Sequence, residues 1–85
     1  MTDREELAAT VREVFHEALK VETDKLKPET VLRDELGLDS LDMIEVVYAI
    51  EERFEVQIPE EKLGEISTFG QVLAGLEQAL AAKEG

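Results

Sequence analysis

The hydrophobic residues near the N-terminus recur at the spacing of one helix face. Leucine, valine and phenylalanine follow the i, i+4, i+7, i+8 pattern, at Leu7, Val11, Val14, Phe15 and Leu19. This period is typical of an amphipathic α-helix with one buried side. Thr2 or Asp3 can cap its start. Two glutamates follow in the first turn, where the helix dipole stabilises negative charge. We therefore predict a helix over about residues 3–20.

The next segment, from Val21 to Leu36, lacks this period and is predicted to be a long ordered loop. Pro28 and several polar residues interrupt it, while scattered apolar residues can anchor it to the core: Leu26, Val31, Leu32 and Leu36. Loops of this length are uncommon in small domains and are usually functional. Gly37 then breaks the chain.

A second long helix is predicted over about residues 40–54, with Asp39 as a suitable N-cap. Its apolar residues form two stripes when they are placed at about 100° per residue. The first stripe has the width of one core face and contains Met43, Val46, Val47, Ile50 and Phe54. The second lies on the opposite side and contains Leu41, Ile44 and Tyr48, bordered by Glu45, Glu51 and Glu52.

The second stripe favours a partner-docking surface. A small bundle cannot cover this helix all round, and an exposed apolar strip with a polar rim is the usual form of a docking site. The alternative is that the long loop or another helix covers Leu41 and Ile44.

The C-terminal third predicts one short helix and one long helix. Pro59 fits the first turn of a short helix over about residues 59–64, which Gly64 stops. Thr68 and Gln71 form a capping-box pattern for a helix over about residues 69–82. The inward residues of that last helix are Phe69, Val72, Leu73, Leu76 and Leu80.

The predicted fold class is therefore all-α, with one domain over residues 1–85. Its architecture is a four-helix bundle of three long helices and one short helix, with the long ordered loop between helices 1 and 2. A chain of 85 residues suffices for one modest core.

The charge balance narrows the partners. With 9 Lys plus Arg against 21 Asp plus Glu, the formal net charge is −12. Such a surface repels nucleic acids and anionic membranes, favours basic protein surfaces and helps to keep the chain monomeric. No apolar run approaches the roughly 18 residues of a membrane span, and the charged N-terminus lacks the apolar core of a signal peptide. We expect a cytoplasmic protein, and Met1 with the short tail favours a free-standing chain.

Ser40 is the main candidate for chemistry. Its simplest role is an N-cap, but Asp39 can perform that role and leave the Ser40 hydroxyl in solvent. The chain has no cysteine, so any thiol must come from outside. His16, the single histidine, is far from Ser40 in the sequence and is expected to be an ordinary surface residue. Without a base, a serine is a poor nucleophile. Ser40 is therefore predicted to accept a modification, and no metal site or enzyme active site is predicted.

At these residues the chain resembles the acyl carrier protein family. The run Leu36-Gly37-Leu38-Asp39-Ser40-Leu41-Asp42 is followed by Glu45 and by Glu51-Glu52-Arg53-Phe54. In that family a Gly-x-Asp-Ser-Leu motif precedes the second helix, and its serine bears 4′-phosphopantetheine. The resemblance extends over nearly the whole chain, because the helices and the anchored loop follow in the family's order.

The resemblance implies that Ser40 is esterified by 4′-phosphopantetheine from coenzyme A, through a phosphopantetheinyl transferase that recognises the flanking Asp39 and Leu41. Acyl intermediates would be carried as thioesters to synthases, reductases, dehydratases or acyltransferases with basic docking patches, in fatty acid, related lipid or polyketide biosynthesis. The family's partner-recognition helix is matched by Leu41, Asp42, Ile44, Glu45, Tyr48, Glu51 and Glu52. The family usually has a smaller aliphatic residue or Met in place of Tyr48, which leaves open whether the partners are those of ordinary fatty acid synthesis.

The sequence also bears on related and alternative functions. Peptidyl carriers commonly show Gly-Gly-x-Ser and are less acidic, whereas a polyketide or specialised lipid carrier fits as well. The alternative from another class is an acidic helical protein-interaction or divalent-cation-binding module without a prosthetic group. An EF-hand loop over residues 34–45 fails, because Leu36 and Leu38 stand where oxygen ligands are needed and Asp39 where glycine is needed.

Overall fold

A computed structural model describes residues 4–84, with only the backbone at residues 60 and 84. The helices are α1 (Arg4–Leu19), a 3₁₀ turn (Thr23–Lys25), α2 (Leu32–Leu36), α3 (Ser40–Phe54), α4 (Glu60–Leu63) and α5 (Phe69–Glu84). Residues 4–84 contain no β-strand, only an isolated bridge between Val31 and Thr68. The all-α class with three long helices is therefore confirmed. The proposed caps of α1, Thr2 and Asp3, lie outside the described residues.

The segment predicted to be a long loop contains a helix, α2, so the prediction of a single short helix was wrong. Its five residues are too few to display an apolar period. Its start is held by Glu35, whose Oε2 accepts a hydrogen bond from the Val31 N–H at 2.6 Å. At its end Gly37 adopts a left-handed conformation, φ 68°, which glycine reaches without steric cost. The bundle thus has two short helices, α2 and α4.

The core forms where α1 packs against α3 and α5. The Phe15 and Phe69 rings meet edge to face with centroids 5.6 Å apart, and the Arg12 guanidinium lies 5.3 Å from the centroid of Phe69. Most residues of the long helices that were predicted to face inward are buried, whereas Leu19, Phe54 and Leu80 are only half-buried. Apolar burial of this kind is the main stabilising contribution in a small domain.

The chain before α2 is tied by backbone hydrogen bonds to the start of α5. The Leu32 N–H donates to Ser67 O at 2.9 Å, and the Phe69 N–H donates to Thr30 O at 3.1 Å. The Thr30 side chain is buried, and its hydroxyl donates to Lys25 O at 2.9 Å. This segment therefore holds α2 in a defined place although most of it is not helical.

The helix ends agree with the predicted bounds to within two residues. Lys20, just after α1, has a φ of 61°, and the exposed His16 ring lies 3.0 Å from Val21 O. Pro59 occupies the N-cap position of α4 and lies outside its first turn. The Thr68–Gln71 capping box is confirmed, with bonds of 2.9 and 3.2 Å between backbone N–H groups and side-chain oxygens.

No helix within residues 4–84 is long and apolar enough to cross a membrane.

Candidate functional site

The start of α3 is closed by a reciprocal pair of aspartates. Asp39 Oδ1 accepts a hydrogen bond from the Asp42 N–H at 2.9 Å, and Asp42 Oδ2 accepts one from the Asp39 N–H at 3.1 Å. The prediction that Asp39 caps this helix is confirmed, while the matching role of Asp42 was not foreseen. Because both carboxylates are engaged with the backbone, the cap needs nothing from Ser40.

Ser40 is the first residue of α3 and is exposed. Its hydroxyl has one polar contact within the described residues, to Arg33 Nη2 at 3.5 Å, which is at the long limit of hydrogen bonding. None of the described carboxylate or imidazole side chains accepts the hydroxyl proton, so these groups do not activate Ser40 as a nucleophile. An exposed, unactivated hydroxyl is suited to be modified by another protein.

The surroundings of Ser40 fit an anionic group attached to its oxygen. It begins a helix of 15 residues, whose N-terminal N–H groups carry the positive end of the helix dipole. The carboxylates of Asp39 and Asp42 are directed to backbone N–H groups, and a guanidinium lies beside the hydroxyl. A phosphodiester at Ser40 would therefore meet positive charge despite the acidic surface around it.

Next to Ser40, the second apolar stripe of α3 is open to solvent. Leu41, Ile44 and Tyr48 are 72%, 43% and 66% exposed, whereas the first stripe supplies four buried residues: Met43, Val46, Val47 and Ile50. The alternative in which a loop or another helix covers the second stripe is therefore wrong. We call Leu41, Ile44 and Tyr48 the apolar strip. Its docking role remains a prediction.

The acidic residues around the apolar strip divide into two kinds. Glu45 and Glu52 are exposed, with carboxylates that form no hydrogen bond or ion pair within residues 4–84. Glu51 is half-buried, and its Oε2 accepts a hydrogen bond from the Ile58 N–H at 2.7 Å. Glu51 thus holds the connector between α3 and α4, and Asp42 holds the cap. Of the predicted partner-binding residues, these two also have internal structural roles.

Beyond Tyr48 the connector forms one wall of an open groove. The groove is lined by Tyr48, Glu51 and Glu52 of α3 and by residues 56–59. In the part of the chain that the structure describes, no cluster of three or more histidine or acidic side chains is placed to hold a metal ion. The arrangement therefore combines an exposed hydroxyl, an apolar strip and an open groove along α3.

The chain is similar to known proteins over most of its length. A family described as "Phosphopantetheine attachment site" matches residues 9–76, from within α1 to within α5. The chain is also similar to an acyl carrier protein of Wolinella succinogenes. The two are 40% identical over 67 residues, which cover 79% of this chain and 88% of that protein. The matched span of the family includes Ser40 and both residues of its cap.

Proposed function

The chain belongs to the family of proteins with a phosphopantetheine attachment site, and we propose that Ser40 is the residue to which the arm is attached. The protein is an acyl carrier protein, which carries its cargo and does not itself catalyse a reaction. The observation that supports Ser40 most is its exposed hydroxyl at the start of α3, released from capping by Asp39 and Asp42. The arm supplies the thiol that this cysteine-free chain lacks, on which acyl groups are held as thioesters.

The attachment is a phosphoryl-group transfer from coenzyme A, carried out by a separate phosphopantetheinyl transferase. Ser40 Oγ forms a bond to the phosphorus that bears the pantetheine. The bond from that phosphorus to the 3′,5′-ADP part breaks, and 3′,5′-ADP leaves with the electron pair. The hydroxyl proton passes to a base of the transferase, because the described residues of this chain offer none. Asp39 and Leu41, on either side of Ser40, form part of the surface that the transferase recognises.

Family members work with a phosphopantetheinyl transferase and with fatty acid synthase enzymes, and the surface of α3 supports a finer proposal. The apolar strip begins one residue after Ser40, so an enzyme that docks there receives the arm at high effective concentration. The acidic residues Asp42, Glu45, Glu51 and Glu52 would select basic docking patches. Steering by such charges speeds association and weakens as salt is added.

The family supports a proposal for the cargo. We propose acyl intermediates of fatty acid, related lipid or polyketide synthesis, delivered to synthases, reductases, dehydratases or acyltransferases. Tyr48 is larger than the side chain usual in the family and would select among these partners. A net charge of −12 favours a monomer. The carrier is proposed to be one domain over residues 1–85 and to work in the cytoplasm, as is typical of acyl carrier proteins.

Mass spectrometry after incubation with coenzyme A and a broad-specificity transferase tests the attachment site. We expect the wild-type chain to gain the mass of one phosphopantetheine and Ser40→Ala to gain none. Ser67 is the other serine of the chain, so Ser67→Ala is a matched control that should be modified fully. A mass gain in Ser40→Ala, or none in the wild type, would contradict the proposal.

A further inference from the structure

Arg33 is a cation placed beside the proposed attachment point without a carboxylate partner. Its Nη2 lies 3.5 Å from Ser40 Oγ. Among the side chains that the structure describes it forms no ion pair, whereas Arg4, Lys25 and Arg53 each have a glutamate partner. The printed polar contact of the Arg33 guanidinium is thus to a hydroxyl, on the residue that is proposed to carry the phosphate.

The backbone sets the position of Arg33. Its neighbour Leu32 is fully buried, and the Leu32 N–H donates to Ser67 O at 2.9 Å, which anchors the start of α2. At the other end of α2, the Gly37 N–H donates to Arg33 O at 3.0 Å, and the Leu38 N–H donates to Leu32 O at 3.3 Å. These bonds close a tight turn that brings the α2 backbone next to the start of α3. The side chain of Arg33 therefore starts from a fixed place near Ser40.

We infer that Arg33 is a positioning residue that pairs with the phosphodiester on Ser40. This inference rests on the proposed function, in which Ser40 carries the arm. The non-bridging oxygens of that phosphate would lie two bonds from Oγ. A guanidinium that already reaches Oγ can therefore reach these oxygens by side-chain rotation alone. The planar donor fork of arginine matches phosphate oxygens better than the point charge of lysine.

The pairing offsets a cost that the acidic surface would otherwise impose. Asp39 and Asp42 stand within two residues of Ser40, and their carboxylates repel a phosphate even while they accept hydrogen bonds from the backbone. Arg33 supplies the opposite charge from α2. Its pairing holds the root of the arm on the α2 side of the Ser40 position, so the arm leaves the protein in a narrower range of directions.

Phosphorus NMR of the loaded protein tests the pairing directly. Wild type, Arg33→Gln and Arg33→Lys are incubated with coenzyme A and transferase until mass spectrometry shows complete loading, so a slower transfer does not affect the comparison. At low salt we expect the ³¹P resonance of the phosphodiester to shift in Arg33→Gln and to shift less in Arg33→Lys. The difference should vanish near 1 M salt, where the screening length is about 3 Å.

Lys62→Gln is the matched control, because Lys62 is an exposed cation on α4 with no ion pair among the described residues. Like Arg33→Gln, this substitution removes one positive charge, but it should leave the ³¹P resonance unchanged. A second measurement needs no variant: the side-chain N–H signals of Arg33 should shift when the wild-type chain is loaded. Identical ³¹P resonances in wild type and Arg33→Gln, or unchanged Arg33 signals, would overturn this inference alone. A wild-type chain that takes up no phosphopantetheine would overturn the proposed function together with it.

Discussion

The first turns of α3 and α5 are built in the same way and used differently. Each begins with a cap whose side chain exchanges hydrogen bonds with the residue three positions later, Asp39 with Asp42 and Thr68 with Gln71. The residue after the cap is Ser40 in α3 and Phe69 in α5. Ser40 is exposed, whereas Phe69 is completely buried.

The second position of each turn repeats this difference. Leu41 of α3 is 72% exposed. Gly70 of α5 lies against the segment before α2, where its N–H donates to Pro28 O at 2.9 Å. A capping box satisfies the backbone of a helix end by local means, so it leaves the next two residues free for another purpose. In α5 they join the helix to the core, and in α3 they are available to other proteins.

The largest effect expected from this comparison is at the position after the cap. Phe69→Ala removes a ring that packs on Phe15 and under Arg12, and should lower the free energy of unfolding by about 3–5 kcal/mol. Ser40→Ala, at the equivalent position of α3, should change it by less than about 0.5 kcal/mol. Urea unfolding followed by circular dichroism measures both.

If Phe69→Ala does not fold, Phe69→Leu is the variant to measure, because leucine keeps most of the apolar volume. Equal losses at positions 69 and 40 would show that the two turns contribute alike to stability, and the comparison would then be wrong.

The next effect concerns the two glycines of α5. A Cβ added at Gly70 would lie 2.9 Å from Pro28 O, whereas a Cβ at Gly75 would meet nothing within 4 Å. Gly75→Ala should therefore stabilise the protein by about 0.5–1 kcal/mol, because alanine is the better helix former. Gly70→Ala should destabilise the protein by about 1–3 kcal/mol, because the backbone at Pro28 or at Gly70 has to move. Thermal unfolding distinguishes the signs, since about 1 kcal/mol shifts the Tm by roughly 4–8 °C in a domain of this size. A stabilising Gly70→Ala would mean that the loop is not fixed against α5.

Most of what the sequence predicted rests on local patterns. The three long helices were found because each is long enough to show an apolar period, and the caps Asp39 and Thr68 stand directly before that period begins. The exposure of the apolar strip was predicted from the angular positions of its residues around a single helix. These inferences needed no knowledge of which segments meet.

The features that were missed depend on short elements and on distant contacts. α2 is too short for a period, although Glu35 four residues after Val31 and Gly37 after Leu36 were signals of its two ends. The approach of Gly70 to Pro28 requires two segments that are far apart in the chain. Arg33 reaches Ser40 only because the turn at Gly37 reverses the chain.

Two acidic residues show the same limit within the candidate site. Glu51 was assigned to partner binding because it borders the apolar strip, and Asp42 because it matches the family's partner-recognition helix. Their carboxylates accept hydrogen bonds from the Asp39 and Ile58 N–H groups, which no pattern along α3 reveals. A charge reversal at either residue would disturb the fold as well as docking, so Glu45 and Glu52 are the better positions at which to test electrostatic steering.

A small expected change in stability at Leu41 makes this residue the one that separates docking from folding. Because Leu41 is largely exposed, Leu41→Ala should alter the free energy of unfolding by less than about 0.5 kcal/mol. On transfer from coenzyme A it should raise the KM of the transferase for this carrier about fivefold, for a contact of roughly 1 kcal/mol, with kcat little changed. Gln78→Ala, at an exposed position of α5, should change neither. An unaltered KM would place the transferase contact elsewhere, whereas a raised KM at constant stability has no explanation in the fold and must come from the lost contact with the enzyme.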